Sequence, residues 1–371
     1  MNINYTEIMN QAGIDAFIIT DPYNLRYYTG FRGGEGFAFI SNHYSQVLIT
    51  DSRYTEAAEK ECYEGFKVRQ FDAKTSIYDI LMEYIVDDNA FTIGFENESI
   101  SYNMYSRFTT KLNDEKYTDL KKQNEFDKPL EFKPMNDALL IPRQIKTPEE
   151  IELLREAEHI GDMAFEDILG ILKPGMTELE VAAELEYSMK KHGAEGFSFD
   201  TIAASGMNSS MPHAIPSSKK LEYGDFLTMD FGCRYQGYCS DMTRTVCIGK
   251  ASDEQKQIYN IVLSAQLAVL EGVKPGMLCR DVDRIARDYI AQQGFGDFFG
   301  HGLGHGVGLY IHESPAFNTR DESVVRPGMI ETDEPGIYLP GKFGVRIEDM
   351  ILITEDGCES LAKSDKKLIE L

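Results

Sequence analysis

A chain of 371 residues with 42% hydrophobic content is too long for one ordinary core and suits two domains. The formal net charge of −24 argues against a nucleic-acid partner, which would want clustered Lys and Arg, and favours solubility. No apolar run approaches the roughly 18 residues of a membrane span. The opening MNINYTEIMNQAGIDAFIIT also lacks the basic-then-apolar order of a signal peptide.

Cys62, Cys233, Cys239, Cys247, Cys279 and Cys358 form no C-x-x-C pair, which argues against a finger-type zinc site. They read as reduced, packed thiols of a cytoplasmic protein with no membrane partner.

IDAFIIT (14–20), GFAFIS (36–41) and SQVLIT (45–50) are short apolar runs with strand character. Asp51 and Ser52 give a capping signal, and RYTEAAEKEC reads as the helix after it. An α/β domain is therefore expected over residues 1–130. The charged stretch KLNDEKYTDLKKQNEFDKPLEFKP (111–134) breaks the apolar periodicity and marks the boundary, with a second domain over 135–371. There Thr147 and Pro148, succeeded by Glu149 and Glu150, predict a capped helix start. IELLREAEHIGDMAFEDILGIL continues it at helical spacing.

LKPGMTELEVAAELEYSMKKHG (172–193) resembles VKPGMLCRDVDRIARDYIAQQG (273–294), each a turn and then an amphipathic helix. The residues beyond each copy strengthen the repeat. Asp230 lies six residues after Gly224, and Glu334 six after Gly328. Asp241 lies four residues after Gly237, and Glu348 four after Gly344. A duplicated fold with an approximate two-fold axis would gather all four carboxylates at its centre.

FLTMDFG and VRIEDMILIT set Asp230 and Glu348 in apolar, strand-like runs. Any one of the 61 acids, read alone, is a solvated surface group. Four ionised together in apolar surroundings are not. Two like charges about 4 Å apart repel by roughly 4 kcal/mol at an effective dielectric near 20. Arg244 and Arg346 are the cations close in sequence, and divalent metal is the more economical counter-charge. Oxygen-rich donors with one imidazole suit Mn²⁺ or a similar ion, with Co²⁺ and Zn²⁺ as alternatives.

Four of the seven histidines fall at motif-like places: His213, His301, His305 and His312. The glycines of FFGHGLGHGVGLYIHESP (298–315) argue against a helix there and let the backbone approach closely. His213 and His312 each precede a proline by three residues, Pro216 and Pro315, which fits the duplication. His43, His159 and His192 read as ordinary structural residues.

The set FDTIAASGMNSSMPH, TMDFG, SDMTRTV, HGLGHGVGLYIHESP, TDEPGIYLPG and GVRIEDM resembles the pita-bread metallopeptidases. These include Xaa-Pro aminopeptidase (aminopeptidase P), Xaa-Pro dipeptidase (prolidase) and methionine aminopeptidase. NLRYYTGFRGGEG and LITDSRYTEAA are similar to the creatinase-type N-terminal domain of the proline-specific branch. The implied fold is that α/β domain and then a duplicated α+β catalytic domain.

The resemblance implies two divalent ions. Asp230 would bind one, Asp241 and Glu348 would bridge both, and His305 and Glu334 would bind the second. A hydroxide shared by the ions would attack the scissile carbonyl, with Glu334 moving the proton. His213, His301 and His312 would line the substrate and stabilise the reacting carbonyl. Arg346 would hold Glu348 ionised. Glu331 and Asp333 stand where many relatives are apolar, and strand alternation would place them opposite Glu334.

The expected activity is removal of an N-terminal residue that precedes proline, from peptides with proline second, by a homodimer. The alternative is a Xaa-Pro dipeptidase. A third reading, a binding module that has kept the fold and lost catalysis, fits less well because no ligand is missing.

Overall fold

The computed structural model describes residues 3–43, 45–126 and 128–371. The first two residues of the N-terminal reading and Asp127 of the charged stretch lie outside them. The chain divides into two compact units, Met1–Arg143 and Gln144–Leu371.

The first unit is built on a six-stranded mixed sheet. Its order is Lys67–Gln70, Gln46–Thr50, Phe37–Ser41, Ala16–Ile19, Thr92–Phe95 and Glu131–Pro134. The three predicted apolar runs are three of these strands. Ile18, Phe39, Ile49 and Ile93 pack with Ile80, Ile85 and Phe108 from the helices into one core.

Two expectations shift here. The helix after Asp51 runs Thr55–Glu61, capped by Tyr54 without a side-chain bond, because the Asp51 carboxylate instead accepts from the Arg53 N–H at 2.9 Å. The unit also runs past residue 130. Glu131–Pro134 pairs in parallel with Thr92–Phe95, and the Arg143 guanidinium donates to Asn24 Oδ1 at 2.7 Å. A charged sequence can form an edge strand with one solvated side, so charge alone did not mark the end.

The second unit opens with the predicted helix, Pro148–Leu169, whose Thr147 and Glu150 form a capping box. Duplication is visible in the element lengths. Glu178–Lys191 and Cys279–Gln292 both span 14 residues. Pro148–Leu169 spans 22 residues and Asp253–Gly272 spans 20. Gly175, Gly224, Gly276 and Gly328 all have φ between 86° and 91°, so the turns before matched elements share a left-handed glycine.

Each half contributes an antiparallel ladder: Phe226–Phe231 with Met242–Cys247, and Ile330–Asp333 with Asp349–Ile353. Each half also has its own apolar core, one around Ile160, Leu185 and Met229, the other around Val262, Val282 and Ile351. No helix among the described residues is long and apolar enough to cross a membrane.

Candidate metal centre

Thr243 joins the two ladders at the centre. Thr243 is registered opposite Asp230 in its own ladder and bridges to Glu348 on its other side. Its hydroxyl donates to Glu348 Oε2 at 2.6 Å. Asp241 lies just before the Met242–Cys247 strand, Glu348 just before Asp349–Ile353, and Glu334 just after Ile330–Asp333. The five sequence-predicted donors Asp230, Asp241, His305, Glu334 and Glu348 all line one cavity of about 680 Å³. That lies within the range of about 300–1,000 Å³ common for small-ligand clefts.

Asp241 and Glu348 are 4% and 2% exposed, so water screens their charge little. Burial pushes the carboxyls of Asp241, Glu348 and Glu334 above their ordinary range, and neighbouring acids push them further. Asp230 Oδ1 and Asp241 Oδ1 are buried and accept no hydrogen bond.

His305, in the Gly304–Gly306 strand, sharpens the point. Its Nδ1 lies 3.1 Å from the Gly306 carbonyl, which has no proton to give, so Nδ1 donates and Nε2 carries the lone pair. That lone pair faces Asp241 Oδ2 at 3.5 Å and Glu334 Oε1 at 3.6 Å. Burial and His312 pull the imidazole down to about 4, so at neutral pH the ring carries no second proton of its own. A neutral nitrogen lone pair aimed at carboxylate oxygens is the arrangement a cation resolves. One ligand atom from each of Asp241, His305 and Glu348 lies within 4.8 Å of the others. The donor set fits divalent metal.

Arg346 lies beside the centre, where its charge favours the ionised form of Glu348 as expected, and it also engages Asp230. Its Nη2 pairs with Asp230 Oδ2 at 2.5 Å, its Nη1 donates to the Tyr338 hydroxyl at 2.8 Å, and its Nε donates to Thr243 Oγ1 at 3.1 Å. It therefore fixes Asp230 directly and reaches Glu348 through Thr243. Arg244, next along the strand, points the other way and pairs with Asp349 at 2.8 Å.

The accessory histidines also line the cavity, but they are not equivalent. The His312 ring packs 4.4 Å from that of His305, and both His312 and His213 are exposed to the cavity. His301 is tied at both nitrogens. Nδ1 donates to the Gly302 carbonyl at 2.8 Å, and Nε2 accepts from the Tyr338 hydroxyl at 2.9 Å. Burial, with Arg346 nearby, lowers it to about 4. It thus links Arg346 and Tyr338 to the glycine segment rather than presenting a free nitrogen to a substrate.

His43, His159 and His192 lie outside the cavity lining, as expected of structural residues. Glu331 and Asp333 are also off it, both fully buried, and burial holds their carboxyls well above the ordinary range. Thr243, Tyr338 and Arg320 were not singled out from sequence. Thr243 and Tyr338 sit inside the quoted motifs, but only the cross-strand register reveals their partners.

The sequence profile of metallopeptidase family M24 matches residues 152–355, and that of the creatinase/prolidase N-terminal domain matches 4–125. The chain belongs to metallopeptidase family M24. It is 40% identical to a Xaa-Pro dipeptidase of Pyrococcus furiosus, over 98% of this chain and 97% of that protein. A solved structure described as a Xaa-Pro dipeptidase from Bacillus anthracis superposes with a TM-score of 0.91 at 42% identity, covering 98% of this chain and 97% of the other. One described as an X-Pro aminopeptidase from Thermotoga maritima gives 0.88 at 38% identity, covering 98% of this chain and 100% of the other.

Proposed function

We propose that this metallopeptidase is a Xaa-Pro dipeptidase, which reverses the order of preference reached from sequence motifs. The observation that carries this reading is Arg320. It lines the cavity that holds the five donors, and no described carboxylate pairs with its guanidinium. Arg346, the other arginine of the lining, is already engaged by Asp230. A dipeptide differs from a longer peptide in bringing the free carboxylate of its proline into the site. An unpaired guanidinium in the wall is the group that recognises it. The P. furiosus and B. anthracis relatives described as dipeptidases support the same choice.

In this reading Asp230 would serve one divalent ion, His305 and Glu334 a second, and Asp241 and Glu348 would be shared between them; the ions would supply Lewis acidity and make water more acidic. Mn²⁺ is the proposed ion, on the strength of four carboxylates and one imidazole. Glu334 accepts the proton of the attacking water and delivers it to the proline nitrogen as the peptide bond breaks. Thr332 Oγ1 donates to Glu334 Oε1 at 3.2 Å, which leaves Oε2 for that transfer. His213 and His312 orient the substrate from the cavity wall. Because the scissile nitrogen carries no hydrogen, the site reads the proline by shape. The six free cysteines support a cytoplasmic setting, and the family resemblance supports a homodimer.

The test compares Ala-Pro, Ala-Pro-amide and Ala-Pro-Ala on Mn²⁺-loaded protein. The dipeptide should be cleaved at least about tenfold more efficiently, with Arg320→Gln raising its KM and leaving the amide unaffected. Preference for the tripeptide would restore the aminopeptidase reading.

A further inference from the structure

Glu178 is the first residue of the Glu178–Lys191 helix and is fully buried. A carboxylate there is costly unless hydrogen bonds replace its water. They do so on both oxygens. Oε1 accepts from Ser205 N at 2.7 Å, Ser205 Oγ at 2.9 Å and Asn208 Nδ2 at 3.0 Å. Oε2 accepts from Ser217 N at 3.1 Å, Ser217 Oγ at 2.6 Å and Asn208 Nδ2 at 3.1 Å. The helix N-terminus adds favourable dipoles.

Ser205 and Ser217 stand at the two ends of one segment, and Asn208 lies within it. Between Ser205 and Ser217 runs the stretch whose Pro212, His213 and Ile215 form part of the cavity wall. Its middle is tied to the metal-centre side by Gly344 N donating to Ser209 Oγ at 2.9 Å and Arg346 Nη1 donating to the Pro212 carbonyl at 3.4 Å. Glu178 itself does not line the cavity.

The second half of the duplication supplies an internal control. The repeat aligns Glu178 with Cys279, the first residue of Cys279–Gln292. The backbone join at the helix start is kept there: Glu178 N donates to Lys219 O at 3.0 Å, and Cys279 N to Ser323 O at 2.9 Å. The carboxylate is not kept. The matching segment is held by its own Asp321, which accepts from Ala316 N at 2.9 Å and Ser323 N at 2.8 Å. The fold therefore closes this junction without a helix carboxylate. The one in the first half serves the segment that carries His213.

We propose that Glu178 is a positioning residue: its carboxylate clasps both ends of the 205–217 segment and so sets where His213 meets the substrate. The inference rests on reading the cavity as a peptide site. Glu178→Gln keeps the size but turns one acceptor into a donor facing donors. Metal content should stay at the wild-type ratio, while kcat/KM on the peptide the wild type cleaves falls about 10- to 100-fold. Amides of 206–216 should exchange hydrogen faster.

Glu178→Gln combined with His213→Ala should be no slower than His213→Ala alone, because both act through one residue. Ser217→Ala should move every readout the same way by less, and it carries the comparison if Glu178→Gln does not fold. Full additivity with His213→Ala, a parallel loss of metal, or unchanged exchange in 206–216 would each overturn the clasp. Exchange needs no substrate. A wild-type protein that cleaves neither dipeptide nor tripeptide would therefore sink the peptidase reading and leave the clasp to be decided by exchange.

Discussion

At the scale of single residues, the centre is a set of groups that are poor neighbours without a cation. The raised carboxyls of Asp241, Glu348 and Glu334 give this a measurable sign. An unfolded carboxyl releases its proton near pH 4, whereas these buried ones keep theirs to higher pH. The chelated protein therefore binds more protons folded than unfolded above about pH 4, and its stability falls as pH rises. The melting temperature of the chelated protein should drop between about pH 5 and about pH 8, and metal loading should flatten that slope. An equal slope with and without metal would contradict the buried-acid argument. Thr243→Val tests the link between the ladders. It removes the donor to Glu348 Oε2 and an acceptor from Arg346. Metal affinity should weaken about 10- to 100-fold. Chemical unfolding should show a loss of about 1–3 kcal/mol. Asp230 and Glu348 were legible as candidate donors because carboxylates in apolar runs are conspicuous, Asp241 and Glu334 through the repeat spacing, and His305 only through the family resemblance. Thr243 and Tyr338 were not, because a hydroxyl gains meaning only from its partners across strands, and Arg320 was not, because a surface-type cation in a turn gains meaning only from the cavity it lines.

At the scale of elements, the close approach of strands is what turns donors into a site. A Cβ at Gly304 would meet the Thr332 carbonyl oxygen at 1.9 Å, so a methyl there must part the strand bearing His305 from Ile330–Asp333, which leads to Glu334. Gly304→Ala should cost about 1–3 kcal/mol or more and lower metal content with it. Gly300→Ala is the matched control, since nothing lies within 4 Å of its Cβ position. It should change stability by no more than about 0.5 kcal/mol in the same denaturation experiment. Helices and their caps were readable because capping boxes are local, as at Thr147. Strand faces were less so. Alternation set Glu331 and Asp333 away from Glu334, yet Ile330–Asp333 is buried along its whole length. A strand covered on both faces has no solvent side to which alternation can send an acid.

At the scale of the whole chain, the duplication was the most legible feature, because repeated turns and helices carry matched spacing with them. The Glu178 clasp was not, since its partners lie 27 to 39 residues away and the repeat itself lacks it. The same organisation predicts where metal acts. All five donors belong to the Gln144–Leu371 unit, and each unit has its own apolar core. A ligand stabilises only the structure whose unfolding releases it, by about 2.7 kcal/mol at a concentration 100-fold above its dissociation constant. Chelation should therefore speed hydrogen exchange in Phe226–Phe231, Met242–Cys247, Ile330–Asp333 and Asp349–Ile353, by about 100-fold for amides that exchange through unfolding of their unit. Ala16–Ile19, Phe37–Ser41 and Thr92–Phe95 of the first unit should be unchanged. Mass-spectrometric exchange on loaded and chelated protein reads both sets at once. Equal acceleration in the two units would mean that they unfold as one cooperative structure, and the metal would then stabilise the whole chain rather than the unit that holds it.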